Sequence, residues 1–170
     1  MTLRFGIVTV SDRSSAGLRE DLSGPALHEK VTSLGWQVVH SVVIPDDLTQ
    51  IQRVLREWCD KRHLDVLLTT GGTGFSPRDV TPEATQAVIE RLVPGIAEAM
   101  RASSRQITPH ALLSRAVAGI RKQTLIINLP GSPKGALENL QVVIPILPHA
   151  VELLRDSPSA EAGHAIPRPG

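Results

Sequence analysis

Apolar positions in this chain fall into short continuous runs that alternate with stretches of helical spacing. Phe5 to Val10 is a β-rich run ending at Ser11-Asp12, and a loop of glycine, serine and charged residues follows. Gly24 to Leu34 reads as a helix, with Ser23 the candidate N-cap and Pro25 in the first turn. Trp36 to Ile44 is a second strand. Asp46 and Asp47 then open a helix in which Ile51, Val54, Leu55 and Trp58 recur at helical spacing. Val66 to Thr70 is a third strand. Thr81-Pro82-Glu83 supplies an N-cap, a first-turn proline and an early acid, in the order a helix start prefers. Pro94 interrupts that helix, and a second helical segment is expected from Gly95 to about Ser103. Thr124 to Leu129 is an unbroken apolar run of the kind buried on both faces of a sheet. A Pro/Gly/Ser turn then leads into a helix whose stripe is Leu137, Leu140, Ile144 and Leu147.

Strands separated by helical patterns predict crossover units and a mostly parallel sheet, in a three-layer, Rossmann-like α/β/α fold. Residues 1–155 are expected to form one domain and 156–170, small, polar and rich in proline and glycine, a flexible tail. In open α/β sheets ligands bind beyond the carboxyl ends of the strands. Polar motifs sit at three such ends: Ser11-Asp12, the glycine-rich turn after Thr70, and Asn128 to Lys134. Asp46 adds a carboxylate just past the second strand. That convergence points to one composite site.

The bulk numbers narrow the chemistry. Among 170 residues, 18 basic and 17 acidic side chains leave a net charge of +1, which gives no electrostatic case for binding nucleic acid. Two tryptophans, two phenylalanines and no tyrosine make a base-stacking platform improbable. The single cysteine, Cys59, excludes an internal disulfide and reads as a helix surface or core-edge residue. No signal peptide is visible, and no continuous apolar stretch reaches the roughly 18 residues of a membrane span. A reducing, cytoplasmic setting is expected. The six histidines show no metal-ligand spacing, and there is no Gly-x-Ser-x-Gly elbow.

The most specific stretch is Thr69-Thr70-Gly71-Gly72-Thr73-Gly74, followed by Ser76-Pro77-Arg78-Asp79-Val80-Thr81-Pro82-Glu83. Glycines let the backbone turn sharply and bring N–H groups close to an anion. Gly71, Gly72 and Gly74 either cradle a phosphate or only form a turn. Arg78 suggests a cation to clamp the anion. Asp79 is either a dipole-friendly acid before the Thr81 cap or a Mg²⁺ ligand that orients the reacting oxygen. Asp46 has the same two readings, helix cap or functional carboxylate. Ser11 and Asp12 either close a strand-end turn or bind a polar heterocycle or its phosphate. Ser132 reads as an N-cap, and Lys134 as a solvated residue or an anion partner.

These residues carry a resemblance. Thr9-Val10-Ser11-Asp12, Glu20-Asp21-Leu22-Ser23-Gly24-Pro25, Pro45-Asp46-Asp47, the glycine-rich run through Thr85, Thr108-Pro109, Leu113-Ser114-Arg115 and Asn128-Leu129-Pro130-Gly131-Ser132-Pro133-Lys134 together resemble molybdopterin adenylyltransferases of the MogA/MoaB type, a family that includes gephyrin-like G domains. The match runs from about Arg4 to Leu154. It implies that molybdopterin and Mg-ATP give adenylyl-molybdopterin and pyrophosphate, in a homotrimer or a hexamer, with hand-off to a molybdenum insertase. The family's acidic functional positions fall on Asp46 and Asp79, with Mg²⁺ the implied metal. Its pterin-phosphate and nucleotide loops fall on Thr70, Gly71, Gly72, Thr73 and Gly74 and on Asn128, Pro130, Gly131, Ser132 and Lys134. Ser104 is carried over from a segment, Ala102 to Gln106, that aligns less clearly than the others. A pterin carrier or scaffold without transferase activity is the main rival, and a phosphosugar- or nucleotide-binding α/β protein the second.

Overall fold

The computed structural model describes residues 1–156. In chain order the elements are β1 (Arg4–Val10), α1 (Asp12–Ser15), α2 (Ser23–Ser33), β2 (Gln37–Ile44), α3 (Leu48–Lys61), β3 (Val66–Thr70), α4 (Thr81–Gln86), β4 (Arg91–Leu92), α5 (Pro94–Arg105), β5 (Ala118–Arg121), β6 (Thr124–Leu129), α6 (Pro133–Val143) and α7 (Leu147–Leu154). Short 3-10 turns lie at Pro109–Leu113 and Ile144–Ile146. Six strands form one sheet in the order β2-β1-β3-β6-β5-β4. β2, β1, β3 and β6 run parallel, while at the far edge β5 is antiparallel to β6 and β4 is antiparallel to β5.

The pleat divides the apolar side chains between two faces, because successive residues of a strand point opposite ways. Phe5 and Ile7 of β1, Val66 and Leu68 of β3, and Leu125 and Ile127 of β6 pack against α2, α5, α6 and α7 through Leu27, Met100, Leu140 and Val151. Val8, Val10, Leu67 and Ile126 point the other way, onto Ile51, Leu55 and Trp58 of α3 and Ala84 of α4. The result is the expected three-layer α/β/α arrangement. Cys59 is buried in the second layer, and that burial pushes its thiol up to about 12, away from nucleophilic chemistry.

Several local expectations change. Ser23 is not the cap of α2: Leu22 stands at the N-cap with no side-chain bond, and Asp21 just before it accepts from the N–H of Gly24 through Oδ1 (3.0 Å). Trp36 does not extend β2 but stacks on Phe5 at 5.4 Å. Thr81 begins α4 without capping it, and a strand, β4, separates α4 from the helix at Pro94. β4 and β5 have no sequence signal because they are two and four residues long. They exist through pairing: Lys122, at φ 52°, turns the chain so that Arg121 lies opposite Thr124. The helical run Pro133–Leu154 does reach the length and hydropathy of a membrane span. Its stripe of Ala136, Leu140, Leu147 and Val151 is fully buried in the core. Beyond Asp156 the expected tail lies outside the described residues.

Candidate functional site

Because four strands are parallel, their carboxyl ends, Ile44, Val10, Thr70 and Leu129, line one edge of the sheet. From β1 the chain crosses to β2 on one side, and from β3 it crosses to the β6-β5-β4 half of the sheet on the other, entering at β4. The strand order therefore reverses between β1 and β3, where a doubly wound sheet opens a crevice. Gly71 sits in that gap. Its φ is +99°, and a Cβ would lie 2.2 Å from the carbonyl oxygen of Val10, so only glycine fits. Gly72, at φ +65°, would place a Cβ 2.4 Å from Thr81 Oγ1 and 3.0 Å from Asp46 Oδ1.

The glycine turn is held from below. Gly71 N–H donates to Leu129 O at 3.1 Å, and Thr81 donates through N–H to Gly72 O (3.1 Å) and through Oγ1 to Gly71 O (2.9 Å). Thr70 Oγ1 donates to Pro130 O at 2.6 Å, tying this turn to the next strand's. Gly71 therefore gives no N–H to a ligand. The N–H groups of Gly72, Thr73, Gly74, Gly131 and Ser132 make no hydrogen bond to any described residue, which makes them the available anion donors.

Two cavities open on either side of this wall. The first, about 320 Å³, is bounded by Ser11, Asp46, Gly71, Gly72 and Asp79, with Arg19 and Asp21 opposite. The second, about 280 Å³ and more apolar, is bounded by Thr73, Gly74, Ser104, Pro130 and Asn139, with Arg101 and His110 at its margin. Ser132 lines both. It also caps α6, accepting from Gly135 N–H at 3.1 Å.

Asp46 is freed from capping by its neighbour: Asp47 accepts from Gln50 N–H at 2.7 Å and starts α3. The Asp46 carboxyl is raised above its ordinary value by burial first, with the charges of Asp12 and Asp79 adding and the Asp12 N–H opposing. Asp79 lines the same cavity and accepts from Ser76 N–H through Oδ2 at 3.0 Å. Both carboxylates keep an oxygen without a protein donor among the described residues. This is a hard, anionic pair that a Mg²⁺ ion carried by substrate phosphates fits, since such ions take one or two protein carboxylates and keep other oxygens. Among the described residues no group of three or more His, Cys, Asp and Glu could hold a metal unaided.

Other site expectations fall differently. Arg78 is paired: its Nε and Nη2 donate to Asp12 Oδ2 and Oδ1, each at 2.9 Å, and that bond holds the Asp12 carboxyl below its ordinary range. Asn128 does not reach either cavity. It is fully buried, donating to Thr69 Oγ1 and Thr85 Oγ1 at 2.9 Å and accepting from Val117 N–H at 3.1 Å. Lys134 is outside both linings, 3.9 Å from Glu138 on an exposed helix face. Arg19 and Asp21 line the first cavity but carried no role in the sequence reading, although Glu20-Asp21-Leu22 marked the segment.

The fold and this crevice define a doubly wound α/β domain with a ligand crevice at its topological switch point. The family model described as a probable molybdopterin binding domain matches residues 6–149, and the chain belongs to that family. The chain is 43% identical to a molybdopterin adenylyltransferase of Helicobacter pylori, over 90% of this chain and 88% of the relative. It is 45% identical to gephyrin of Dictyostelium discoideum over 91% of this chain, but spans only 23% of that longer protein. Among solved structures, the molybdopterin biosynthesis enzyme MoaB of Thermus thermophilus superposes with a TM-score of 0.87 at 49% identity, covering 92% of this chain and 99% of the other.

Proposed function

We propose that this protein is a molybdopterin adenylyltransferase acting in molybdenum cofactor biosynthesis. A phosphate oxygen of molybdopterin attacks the α-phosphorus of ATP. One P–O bond forms, the bond from the α-phosphorus to the β-bridging oxygen breaks, and pyrophosphate leaves. Both reactants are anions, so the protein's task is to align them and offset their repulsion. The observation that carries this reading is the placement of one acid-lined cavity and one more apolar cavity on either side of a wall of free N–H groups, Gly72 to Gly74 and Gly131-Ser132. Each cavity takes one substrate, and the N–H wall binds the phosphates where they meet. Asp46 and Asp79 would hold Mg²⁺, which when bound neutralises phosphate charge. Ser11, with Thr70 behind it, shapes the first cavity, and Ser104 the second. The cytoplasm, a homotrimeric or hexameric assembly and delivery of the product to a molybdenum insertase complete the proposal.

The test is pyrophosphate release from Mg-ATP by purified protein, with and without molybdopterin. Molybdopterin-dependent release is the expected result. Tight pterin binding without release would make the protein a carrier.

A further inference from the structure

Two arginines tie the loop that carries Asp79 to the body of the protein by hydrogen bonds, Arg78 and Arg115, and only Arg115 binds Asp79 itself. Between Gly74 and Val80 the chain closes on itself through Asp79 N–H to Ser76 O (2.9 Å) and Ser76 N–H to Asp79 Oδ2 (3.0 Å). Neither bond ties the loop to the body of the protein. Arg78 to Asp12 does, in a bidentate pair open to solvent, 64% and 42% exposed at the side chains, which water screens and which anchors the residue before Asp79. Arg115 reaches in from the segment before β5. Its N–H donates to Thr73 O at 2.9 Å, Nε to Gly74 O at 2.7 Å and Nη2 to Asp79 O at 2.7 Å, while Nη1 bonds the Glu83 carboxylate. A single planar guanidinium thus joins the start of the loop, its functional aspartate and the helix that follows. Only the fork of arginine has donors for all three directions at once.

We propose that Arg115 is a positioning residue for the adenylyl transfer. It sets where the Asp79 carboxylate stands without touching substrate, since its charge is matched by Glu83 and its donors point to loop carbonyls. Glu83 in turn belongs to α4, whose first residue, Thr81, holds the glycine turn. Arg115 therefore fixes Asp79 against the same support that fixes Gly71 and Gly72. This rests on the adenylyltransferase reading for its kinetic consequence and on the hydrogen bonds alone for the restraint.

Arg115→Ala and Arg115→Lys are compared with the unaltered protein in two measurements. The first is steady-state pyrophosphate release with molybdopterin and Mg-ATP, with and without added guanidinium. A carboxylate displaced by about 1 Å is expected to lower kcat about 100-fold in Arg115→Ala. KM for Mg-ATP stays near its original value, and guanidinium restores part of kcat. Arg115→Lys keeps charge but not the fork and falls between. The second is amide hydrogen exchange, in which Ser76 and Asp79 exchange faster in the variants while Val66 to Thr70 of β3 do not. Should Arg115→Ala fail to fold, Arg115→Lys supplies both readouts. Unchanged kcat, or a loss that guanidinium does not reverse and that comes with faster exchange throughout the sheet, overturns the proposal. If the unaltered protein releases no pyrophosphate, the transferase reading falls instead, and exchange at Ser76 and Asp79 alone decides whether Arg115 restrains the loop.

Discussion

Asp12 and Asp46 exchange hydrogen bonds across the ends of β1 and β2: Asp12 N–H donates to Asp46 Oδ2 at 2.9 Å, and Asp46 N–H donates to Asp12 Oδ1 at 3.0 Å. Each carboxylate orients the other's backbone, and Arg78 balances the pair's charge from the Asp12 side. The charge that remains uncompensated is that of Asp46, the one facing the first cavity. Two adjacent strand ends thereby present one fixed carboxylate to a ligand.

Asp12→Ala removes both the acceptor for Asp46 N–H and the partner of Arg78. A fall of about tenfold or more in kcat/KM is expected from the misplaced Asp46. Asp12→Asn keeps an oxygen for that N–H and gives up only an exposed ion pair, so its loss is smaller. Pyrophosphate release kinetics on the two variants separates orientation from charge, and equal losses would assign the effect to charge.

Asp79→Asn is expected to cut turnover by about two orders of magnitude or more, the usual scale for removing a group that stabilises the transferring phosphate. Asp46→Asn should behave alike and raise the Mg²⁺ concentration needed for half-maximal rate. Full turnover in either variant would strip that residue of its role.

Gly71→Ala forces a Cβ against Val10 O at a backbone angle that L-residues rarely adopt. Strain of this kind costs about 1–3 kcal/mol before the clash is counted, so urea unfolding should shift by at least about 2 kcal/mol. Gly95→Ala is the control: nothing lies within 4 Å of the new Cβ in α5, and a gain of about 0.4–1 kcal/mol is expected.

Asn128→Ala leaves the N–H of Val117 buried without its side-chain acceptor. A destabilisation of about 1–3 kcal/mol follows from the desolvated donor. KM for Mg-ATP in the folded variant should stay unchanged, because the side chain faces Thr69 and Thr85. A raised KM with unaltered stability would return Asn128 to the binding residues.

Asp60 accepts two hydrogen bonds from Arg121, at 2.9 and 2.8 Å, with Lys122 3.3 Å away and Glu90 on the far side of Arg121. The Arg121 bonds hold its carboxyl below the ordinary 3.8. A lowered folded-state value stabilises fully above the unfolded value and is lost as pH falls through the lowered one. The stability difference between the unaltered protein and Asp60→Asn should therefore be constant near neutrality and shrink below about pH 4. Urea midpoints measured from pH 7 to pH 3 check it.

The sequence alone determined the parallel core of the sheet and the end of it that carries the chemistry. Runs dominated by apolar residues, such as Val66 to Thr70 and Thr124 to Leu129, announce buried strands because helices cover both faces of a parallel sheet. Polar strand ends and helix starts such as Asp47 and Ser132 follow from local backbone needs, so they are legible over a few residues. Only the tertiary structure decided what each polar side chain is for. Asn128 lies near the end of β6 and Asp46 just past the end of β2, yet one is turned into the core by Thr69 and Thr85 and the other is released into a cavity because Asp47 takes the cap. Arg115 stands 36 residues from Asp79 and binds its carbonyl oxygen, a contact with no local signature. β4 and β5 arise the same way, since strands of two and four residues are created by their partners and not by their own pattern.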